Sequence, residues 1–266
     1  MNGYKKTSQT MNAVIDIGNS RLKCGFLLPN GKTTAHSLPI PPNEKQFDKL
    51  TATYPEPITW RIAPTGSFHW KECKATILRA RPHDKFQIVT RRHIPLNIDA
   101  HNPQKIGVDR LLAALAATEK YGITPMLVVD AGSAITVDVV QNRTFCGGAI
   151  LPGLGALSQS YPNISVRLPL VPIADSLLNN RPVYPGKNTK EAIRNGIYWG
   201  TIGAILQLYN LFCVQQKTEV RLILTGGDAH SILPGLSLVL PAQRITHCDT
   251  LVLEGINLCF DERQKR

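Results

Sequence analysis

The sequence predicts an α/β protein made of two similar domains. The main observation is a pair of acidic glycine turns, at residues 16–20 and 130–134, each of which follows an apolar strand-like run. A second strand-like run follows each turn, and the pattern returns about 114 residues further along the chain. A motif that recurs at such a spacing indicates an internal structural duplication. Helical patterns between the strands indicate mixed sheets covered by helices.

The first half predicts a three-stranded meander followed by alternating helices and strands. Pro41 and Pro42 end the meander. The predicted elements are strands at 12–17, 21–28 and 32–38, a helix at 44–53, a strand at 58–63, a helix at 68–80, a strand at 85–89 and a helix at 108–121. Gly122 caps the last helix.

The second half repeats this order, which predicts a second domain. Its predicted elements are strands at 126–130, 134–140 and 144–150, a proline-rich loop at 161–187, a helix at 188–214, a strand at 220–224 and a closing helix at 250–260. Asn188 and Glu191 form the capping box of the long helix. We therefore expect a disordered extension at 1–10 and domains at 11–120 and 121–266. The closing helix is a candidate for packing back on the first domain.

Composition favours a cytoplasmic globular protein. The chain has 266 residues, 43% of them apolar, but no uninterrupted apolar run reaches the roughly 18 residues of a membrane span. Residues 1–10 are polar and lack the apolar core of a signal peptide, and Met11 is a candidate second start. The six cysteines form no C-x-x-C pair, which favours buried reduced thiols and disfavours zinc.

The formal charge of +11 leaves two interpretations open. One is a site for anionic ligands such as ATP and a carboxylate substrate, and the other is nucleic-acid binding. The basic residues are spread along the chain, and their local clusters lack interleaved aromatic residues apart from Phe86. A solvated basic surface is therefore favoured, and dedicated nucleic-acid binding is not expected.

The first acidic turn is either a simple hairpin or a phosphate loop. Asp, Gly and Asn are the usual residues of a hairpin turn. In a phosphate loop, Gly18 would let the backbone approach the ligand, Asn19 and Ser20 would donate hydrogen bonds, and Lys23 would supply positive charge. Asp16 would hold hydrated Mg²⁺, because this hard cation prefers carboxylate and water.

The start of the helix at 108–121 carries a second candidate site. Asp109 is either a residue favoured by the helix dipole or the acceptor of a proton from a hydroxyl nucleophile. Arg110 could bind a carboxylate or phosphate.

The second acidic turn has the same two interpretations as the first. Ser133 could donate to a phosphate and Asp130 could ligate a cation. The glycine-rich segments at 147–153 and 225–229 indicate close backbone crossings or, for the second, a nucleoside that passes close to the backbone.

Taken together and in this order, the motifs resemble those of the type III pantothenate kinase family. They are DIGNSRLK at 16–23, GVDR at 107–110, DAGSAITVD at 130–138, GGAILPG at 147–153, NTKEAIRNG at 188–196 and TGGDA at 225–229. This family belongs to the acetate and sugar kinase, Hsc70 and actin superfamily. The resemblance implies two ribonuclease-H-like (actin-like ATPase) domains with an ATP cleft between them.

The resemblance also implies an activity, which is ATP-dependent phosphorylation of pantothenate in the first step of coenzyme A synthesis. Asp109 would be the proton acceptor, Asp130 would bind K⁺ or NH₄⁺, and Mg²⁺ would accompany ATP. The implied ATP-binding residues are Asp16, Ile17, Gly18, Asn19, Ser20, Arg21, Leu22, Lys23 and Ser133. The implied pantothenate-binding residues are Gly107, Val108, Asp109, Arg110 and Thr189.

Family members are homodimers, and the glycine-lined helix from Asn188 fits the subunit contact. One departure is Ala100, which stands where the family often has a substrate-contacting Tyr, with His101 beside it. Two alternatives stay open: another small-molecule kinase of the superfamily, and a nucleotide-binding regulator of the same fold without kinase activity.

Overall fold

A computed structural model describes residues 11–18, 21–28, 32–64, 69–173, 181–216 and 218–260. The chain divides into two compact units. Unit 1 comprises Met1–Ile94 and Val252–Arg266, and unit 2 comprises Pro95–Leu251.

Unit 1 is built on a five-stranded sheet with the order β3-β2-β1-β4-β5. Its elements are β1 (Met11–Ile17), β2 (Arg21–Phe26), β3 (His36–Pro39), α1 (Glu44–Thr51), β4 (Ile58–Ala63), α2 (Trp70–Ala80), β5 (Lys85–Ile88) and a 3₁₀ turn at Arg91–His93. β1 pairs antiparallel with β2 and parallel with β4, which makes it the central strand. Four of its side chains are fully buried, namely Ala13, Val14, Ile15 and Ile17.

Asp84 fixes the start of β4 from inside unit 1. Its carboxylate accepts hydrogen bonds from the backbone N–H of Ile58 at 2.9 Å and from Nε1 of Trp60 at 2.7 Å. Arg81 donates to the same carboxylate at 2.7 Å and to the carbonyl of Glu56 at 2.6 Å. The buried Trp60 indole and Asp84 carboxylate therefore form a hydrogen bond with each other, as buried polar groups generally need a partner.

Unit 2 is built on a six-stranded sheet with the order β11-β10-β7-β8-β9-β6. Its elements are β6 (Asn97–Ile98), a 3₁₀ turn at Pro103–Lys105, α3 (Val108–Tyr121), β7 (Met126–Ala131), β8 (Ala134–Gln141), β9 (Thr144–Pro152), α4 (Leu154–Ile164), α5 (Thr189–Gln216), β10 (Arg221–Thr225), α6 (Ala229–Leu236), a 3₁₀ turn at Ala242–Arg244, β11 (Ile245–His247) and the first residue of α7 (Leu251–Leu258).

The two sheets confirm the predicted duplication. In unit 2, β7 pairs antiparallel with β8 and parallel with β10, as β1 does with β2 and β4 in unit 1. The order β9-β8-β7-β10-β11 therefore repeats β3-β2-β1-β4-β5, and only the short β6, parallel to β9, is extra.

The division of the chain differs from the predicted boundary near residue 120. α3 contacts β7 and β8, and β6 pairs with β9, so the chain from Pro95 onward packs with the second sheet. Beyond Val252 the chain belongs to unit 1, where Nη1 of Arg61 donates to Asn257 at 2.7 Å and its guanidinium lies 4.9 Å from the Phe260 ring centroid.

Most element bounds shift by one to three residues from the prediction, and two differences are larger. β3 begins at His36 and not at residue 32, because Leu27 and Thr33 form only an isolated bridge. The predicted loop at 161–187 was wrong at its start, since α4 continues to Ile164 with Pro162 inside it. A proline lacks only one backbone N–H, so it interrupts a single hydrogen bond near the end of this helix.

The predicted cap of α5 is present in a modified form. Asn188 accepts from the backbone N–H of Glu191 at 3.0 Å, but the Glu191 carboxylate accepts from Lys187 N–H at 2.7 Å and from the Asn188 amide at 2.7 Å. Among the described residues, α5 is the one helix long and apolar enough to cross a membrane by length and composition. One of its faces packs in the core of unit 2, through Ile193, Ile197, Tyr198, Ile202, Ile205, Tyr209 and Phe212.

All six cysteines are free thiols. Cys24, Cys73 and Cys248 are buried, while Cys146 is exposed, so the predicted burial is correct for only part of the set. Burial raises the pKa of the Cys24 thiol to about 12, which leaves it protonated and unreactive near neutral pH.

Candidate functional site

The first acidic turn follows the central strand of unit 1. Asp16 lies opposite Lys23 across the β1–β2 pair, and directly opposed residues of an antiparallel pair project from the same face. The Gly18 N–H donates to the Arg21 carbonyl at 3.2 Å, which closes the turn. Asn19 and Ser20 lie outside the described residues. A carboxylate and an ammonium group therefore flank the end of a buried strand.

The second acidic turn occupies the equivalent place in unit 2. Asp130 lies between Thr136 of β8 and Thr225 of β10. The Gly132 N–H donates to the Ala134 carbonyl at 3.0 Å, and Ser133 is exposed at the tip. The structural duplication therefore places Asp16 and Asp130 at matching positions of the two sheets.

Two glycine-containing segments pack against the second turn. Gly226 has φ +102°, and a Cβ there would lie 2.5 Å from the Ala131 nitrogen and from the Asp130 carboxylate. A Cβ on Gly153 would lie 2.5 Å from the Ser133 carbonyl oxygen. Only glycine fits at either position. The segments at 147–153 and 225–229 thus make the close backbone crossings that the sequence predicted as one interpretation.

Backbone hydrogen bonds fix this arrangement. The Asp228 N–H donates to the Ala131 carbonyl at 2.9 Å, and the Gly153 N–H donates to the Ser133 carbonyl at 3.2 Å. The structure therefore brings Asp130 and Ser133 together with the start of α6. Sequence reasoning recognised each segment separately but did not predict that they would meet.

The start of α3 carries the predicted proton acceptor. The partly buried Asp109 lies in the first helical turn, and its Oδ1 accepts from the Arg110 N–H at 2.9 Å. The same carboxylate folds back over Gly107, where a Cβ would collide with it. The Asp109 carboxylate is therefore held by its own neighbours in the segment 107–110.

Arg110 forms an ion pair with Asp138, a residue that the sequence did not indicate as a candidate. Its Nε lies 3.0 and 3.1 Å from the two carboxylate oxygens of Asp138, and its Nη2 pairs with the same carboxylate. The guanidinium also lies 5.3 Å from the Phe145 ring centroid. The Asp138 side chain is 2% exposed and that of Arg110 is 15% exposed. Asp138 lies in the quoted DAGSAITVD motif, but its partner is 28 residues away in sequence, so no local pattern identifies the pair.

The Asp138 carboxyl has a perturbed ionisation. Burial raises the pKa of Asp138 above its ordinary value, Arg110 opposes this increase, and the charge of Asp109 adds to it. Removing a carboxylate from water costs free energy that a buried arginine only partly returns. Arg110 therefore offsets part of the cost of burying the Asp138 carboxylate.

The remaining predicted substrate residue, Thr189, is exposed at the first turn of α5. Ala100, which stands where the family often has a Tyr, is partly buried before the 3₁₀ turn at Pro103–Lys105. Thr189, Asp109 and Asp130 all belong to unit 2, whereas residues 16–23 belong to unit 1.

The donor atoms fit the cations that the resemblance implies. Asp130 offers carboxylate oxygens beside the carbonyl groups of its turn, and oxygen donors suit hard cations such as K⁺. Asp16 offers a carboxylate beside Lys23, which suits a hydrated Mg²⁺ and the anionic phosphates that it accompanies.

Comparison with known proteins gives a family match over most of the chain. A family model described as type III pantothenate kinase matches residues 13–211. The type III pantothenate kinase of Acidiphilium cryptum is 40% identical over 164 residues, which are 60% of this chain and 57% of that protein. The chain thus spans little more than half the length of the curated relatives it matches.

Solved structures with similar folds cover nearly the whole chain. A conserved Campylobacter jejuni protein named as a Baf family transcriptional activator has a TM-score of 0.55 at 23% identity, with 96% of this chain and all of that chain covered. The activator of 2-hydroxyisocaproyl-CoA dehydratase from Clostridium difficile, with bound ADPNP, has a TM-score of 0.53 at 13% identity, with 96% of both chains covered. These likenesses show the fold, which is the predicted pair of ribonuclease-H-like, actin-like ATPase domains.

We predict that Arg110→Met lowers the free energy of unfolding by about 3–5 kcal/mol near neutral pH, because it leaves a buried carboxylate without a partner. The loss is expected to be smallest below the ordinary carboxyl pKa of 3.8, where Asp138 is protonated in both the folded and the unfolded chain. It grows as pH rises through and above the raised folded-state pKa, because the wild type can then ionise Asp138 beside Arg110, whereas the variant must ionise it unpaired or retain its proton. Urea unfolding at several pH values measures this.

Arg79→Met is the matched control, since Arg79 pairs with Glu44 and both side chains are about half exposed. Its loss should stay below about 1 kcal/mol. An Arg110→Met loss that is equally small, or independent of pH, would contradict the assigned role of Asp138.

Proposed function

Because the chain belongs to the type III pantothenate kinase family, we propose that it transfers a phosphoryl group from ATP to pantothenate and forms 4′-phosphopantothenate. The observation that carries this proposal is the family match over residues 13–211, which includes the first acidic turn, the start of α3, the second turn and the start of α5. Coenzyme A biosynthesis begins with this reaction. We further propose that the protein is cytoplasmic.

The two acidic turns would bind the nucleotide. Residues 16–23 would form the first phosphate motif, with Lys23 close to the negative charge, and Ser133 would contact ATP from the second turn. Asp16 would hold the hydrated Mg²⁺ of the nucleotide, and Asp130 would bind K⁺ or NH₄⁺. These cations supply charge neutralisation, which is what phosphoryl transfer mainly requires.

Asp109 would accept the proton of the pantothenate hydroxyl. Its carboxylate is held by the Arg110 N–H and by the start of α3, so its position is fixed before substrate binds. One oxygen accepts that hydrogen bond, which leaves the second able to receive a proton. A positioned general base is expected at this place in a kinase that has an alcohol acceptor.

Gly107, Val108, Arg110 and Thr189 would line the pantothenate site. The bidentate pair with Asp138 holds the Arg110 guanidinium in place, so we assign Arg110 the task of orienting substrate from a fixed position. Ala100 stands where many relatives have a tyrosine that contacts the substrate. We expect the loss of this contact to lower substrate affinity and to leave the chemical step unchanged.

A coupled assay of ADP release tests the function directly. We expect release that depends on pantothenate and on K⁺ or NH₄⁺, with little turnover when Na⁺ replaces them at fixed Mg²⁺. ATP binding without pantothenate-dependent release would instead support a nucleotide-binding regulator. Release with a different alcohol acceptor would support another small-molecule kinase of the superfamily.

We predict that Asp109→Asn lowers turnover by roughly 10²- to 10⁴-fold, because general-base assistance contributes about that much. Asn keeps the shape and can still accept the Arg110 N–H bond, so nucleotide affinity should change little. Glu119→Gln is the matched control, because it removes a carboxylate from the last turn of the same helix. Near-normal turnover in Asp109→Asn would contradict the proposed role of Asp109 as general base.

We also propose that α5 contacts a second subunit. Its exposed face carries Gly196, Gly200 and Gly203. The space above Gly196 faces the Tyr161 hydroxyl of α4 at 3.3 Å, whereas no atom lies within 4 Å of a Cβ built on Gly200 or Gly203. Gly200 and Gly203, which have open space above them, therefore support a subunit contact more strongly than Gly196 does.

We predict that Gly200→Leu weakens dimerisation and lowers activity together, because a large side chain would separate closely packed helices. Light scattering at micromolar concentration measures the association. Gly155→Leu in α4 is the control for association, since a Cβ there also meets nothing within 4 Å. A fully active wild-type monomer would contradict the proposed dimer.

A further inference from the structure

Three side chains with metal-binding atoms lie together in unit 2, apart from the residues assigned to ATP and pantothenate. His230 lies in α6, His247 ends β11 and Asp249 follows it. Their ligating atoms all lie within 4.8 Å of one another. We propose that His230, His247 and Asp249 form a binding site for a borderline divalent metal ion such as Zn²⁺.

The distances suit such an ion. Oδ1 of Asp249 lies 3.3 Å from Nε2 of His230 and 3.0 Å from Nε2 of His247. Zinc binds histidine nitrogen and carboxylate oxygen at about 2.0–2.2 Å, so neighbouring ligand atoms of a tetrahedral site lie about 3.3 Å apart. Two of the three separations therefore already suit a shared ion, and the two histidine nitrogens lie within 4.8 Å of each other.

The ligand types also select the class of metal. Two imidazole nitrogens and one carboxylate favour zinc and neighbouring transition metals, whereas Mg²⁺ and Ca²⁺ prefer oxygen ligands. The site therefore differs in chemistry from the oxygen-rich turns at Asp16 and Asp130. An ion that serves ATP is not expected to occupy it.

His247 presents a nitrogen that the protein leaves without a well-oriented partner. Its Nε2 is inaccessible to solvent and, although close to Asp249, makes no hydrogen bond of acceptable geometry. A buried ring nitrogen without a well-oriented protein partner is able to bind an ion, so the contact geometry agrees with a ligand.

The ion can reach this place from solvent. The side chains of His230 and Asp249 are 59% and 53% exposed, while that of His247 is 16% exposed. With three protein ligands, water would complete a tetrahedral shell. The ion would tie α6 to the segment after β11, and α6 begins beside the Asp228 N–H that bonds to Ala131. Metal binding would therefore stabilise the region around the second acidic turn.

Zn²⁺ titration of the full chain, free of any histidine tag, tests the proposal. Isothermal titration calorimetry after chelator treatment should show one ion per chain. His230→Gln should weaken binding by at least the roughly 10- to 100-fold that loss of an outer-shell partner costs. Because His230 is more than half exposed, this variant should fold normally. Zn²⁺ should also raise the melting temperature of the wild type more than that of His230→Gln.

Two controls separate this site from other zinc ligands. His83→Gln removes an exposed histidine of unit 1 and should leave binding unchanged. Cys248→Ser removes the thiol between His247 and Asp249, whose Sγ lies 3.3 Å from Nζ of Lys120, and should also preserve binding. Unchanged Zn²⁺ affinity in His230→Gln, or loss of binding in Cys248→Ser alone, would overturn the proposal.

Discussion

The close crossing of backbone at the Asp130 turn is the constraint on which the proposed site in unit 2 depends. Gly226 and Gly153 approach the turn at distances that exclude a Cβ, and both segments are hydrogen-bonded to it. Any larger residue would have to move the turn, because its backbone atoms and not a flexible side chain occupy the space. The positions of Asp130 and Ser133 are therefore set by three segments that are distant in sequence.

Duplication of the sheet explains why an acidic turn occurs twice. In each unit the central strand has an antiparallel neighbour on one side and a parallel neighbour on the other, so its apolar residues are enclosed. Asp16 and Asp130 lie near the ends of these strands and are the partly buried polar residues there. A strand buried on both faces needs apolar residues, and its end is where a carboxylate can meet solvent or ligand. In both units, therefore, the arrangement of the sheet places a carboxylate at the end of the central strand, where it can meet a ligand.

Most elements were predictable from local sequence signals. Contacts between residues that are distant in sequence were not predictable. The Asn188–Glu191 cap and the turn residues were predictable because each depends on neighbours within four positions. The buried Arg110–Asp138 pair and the His230–Asp249 cluster form only when separate strands and helices assemble. No helix was predicted at α4, and its last residues were assigned to a loop because Pro162 is normally a helix breaker, although near a helix terminus it interrupts little.

The pair of Arg110 and Asp138 connects stability with the proposed chemistry. A buried ion pair gives little net stability, but loss of one partner is costly, so such a pair is best explained by what it positions. Here it holds the side chain that follows Asp109, and the Arg110 N–H holds the Asp109 carboxylate itself. The negative charge of Asp109 in turn makes ionisation of Asp138 less favourable. The Arg110 guanidinium opposes this effect at Asp138, while its backbone N–H holds Asp109, so the buried acid and the proposed base both contact the same residue.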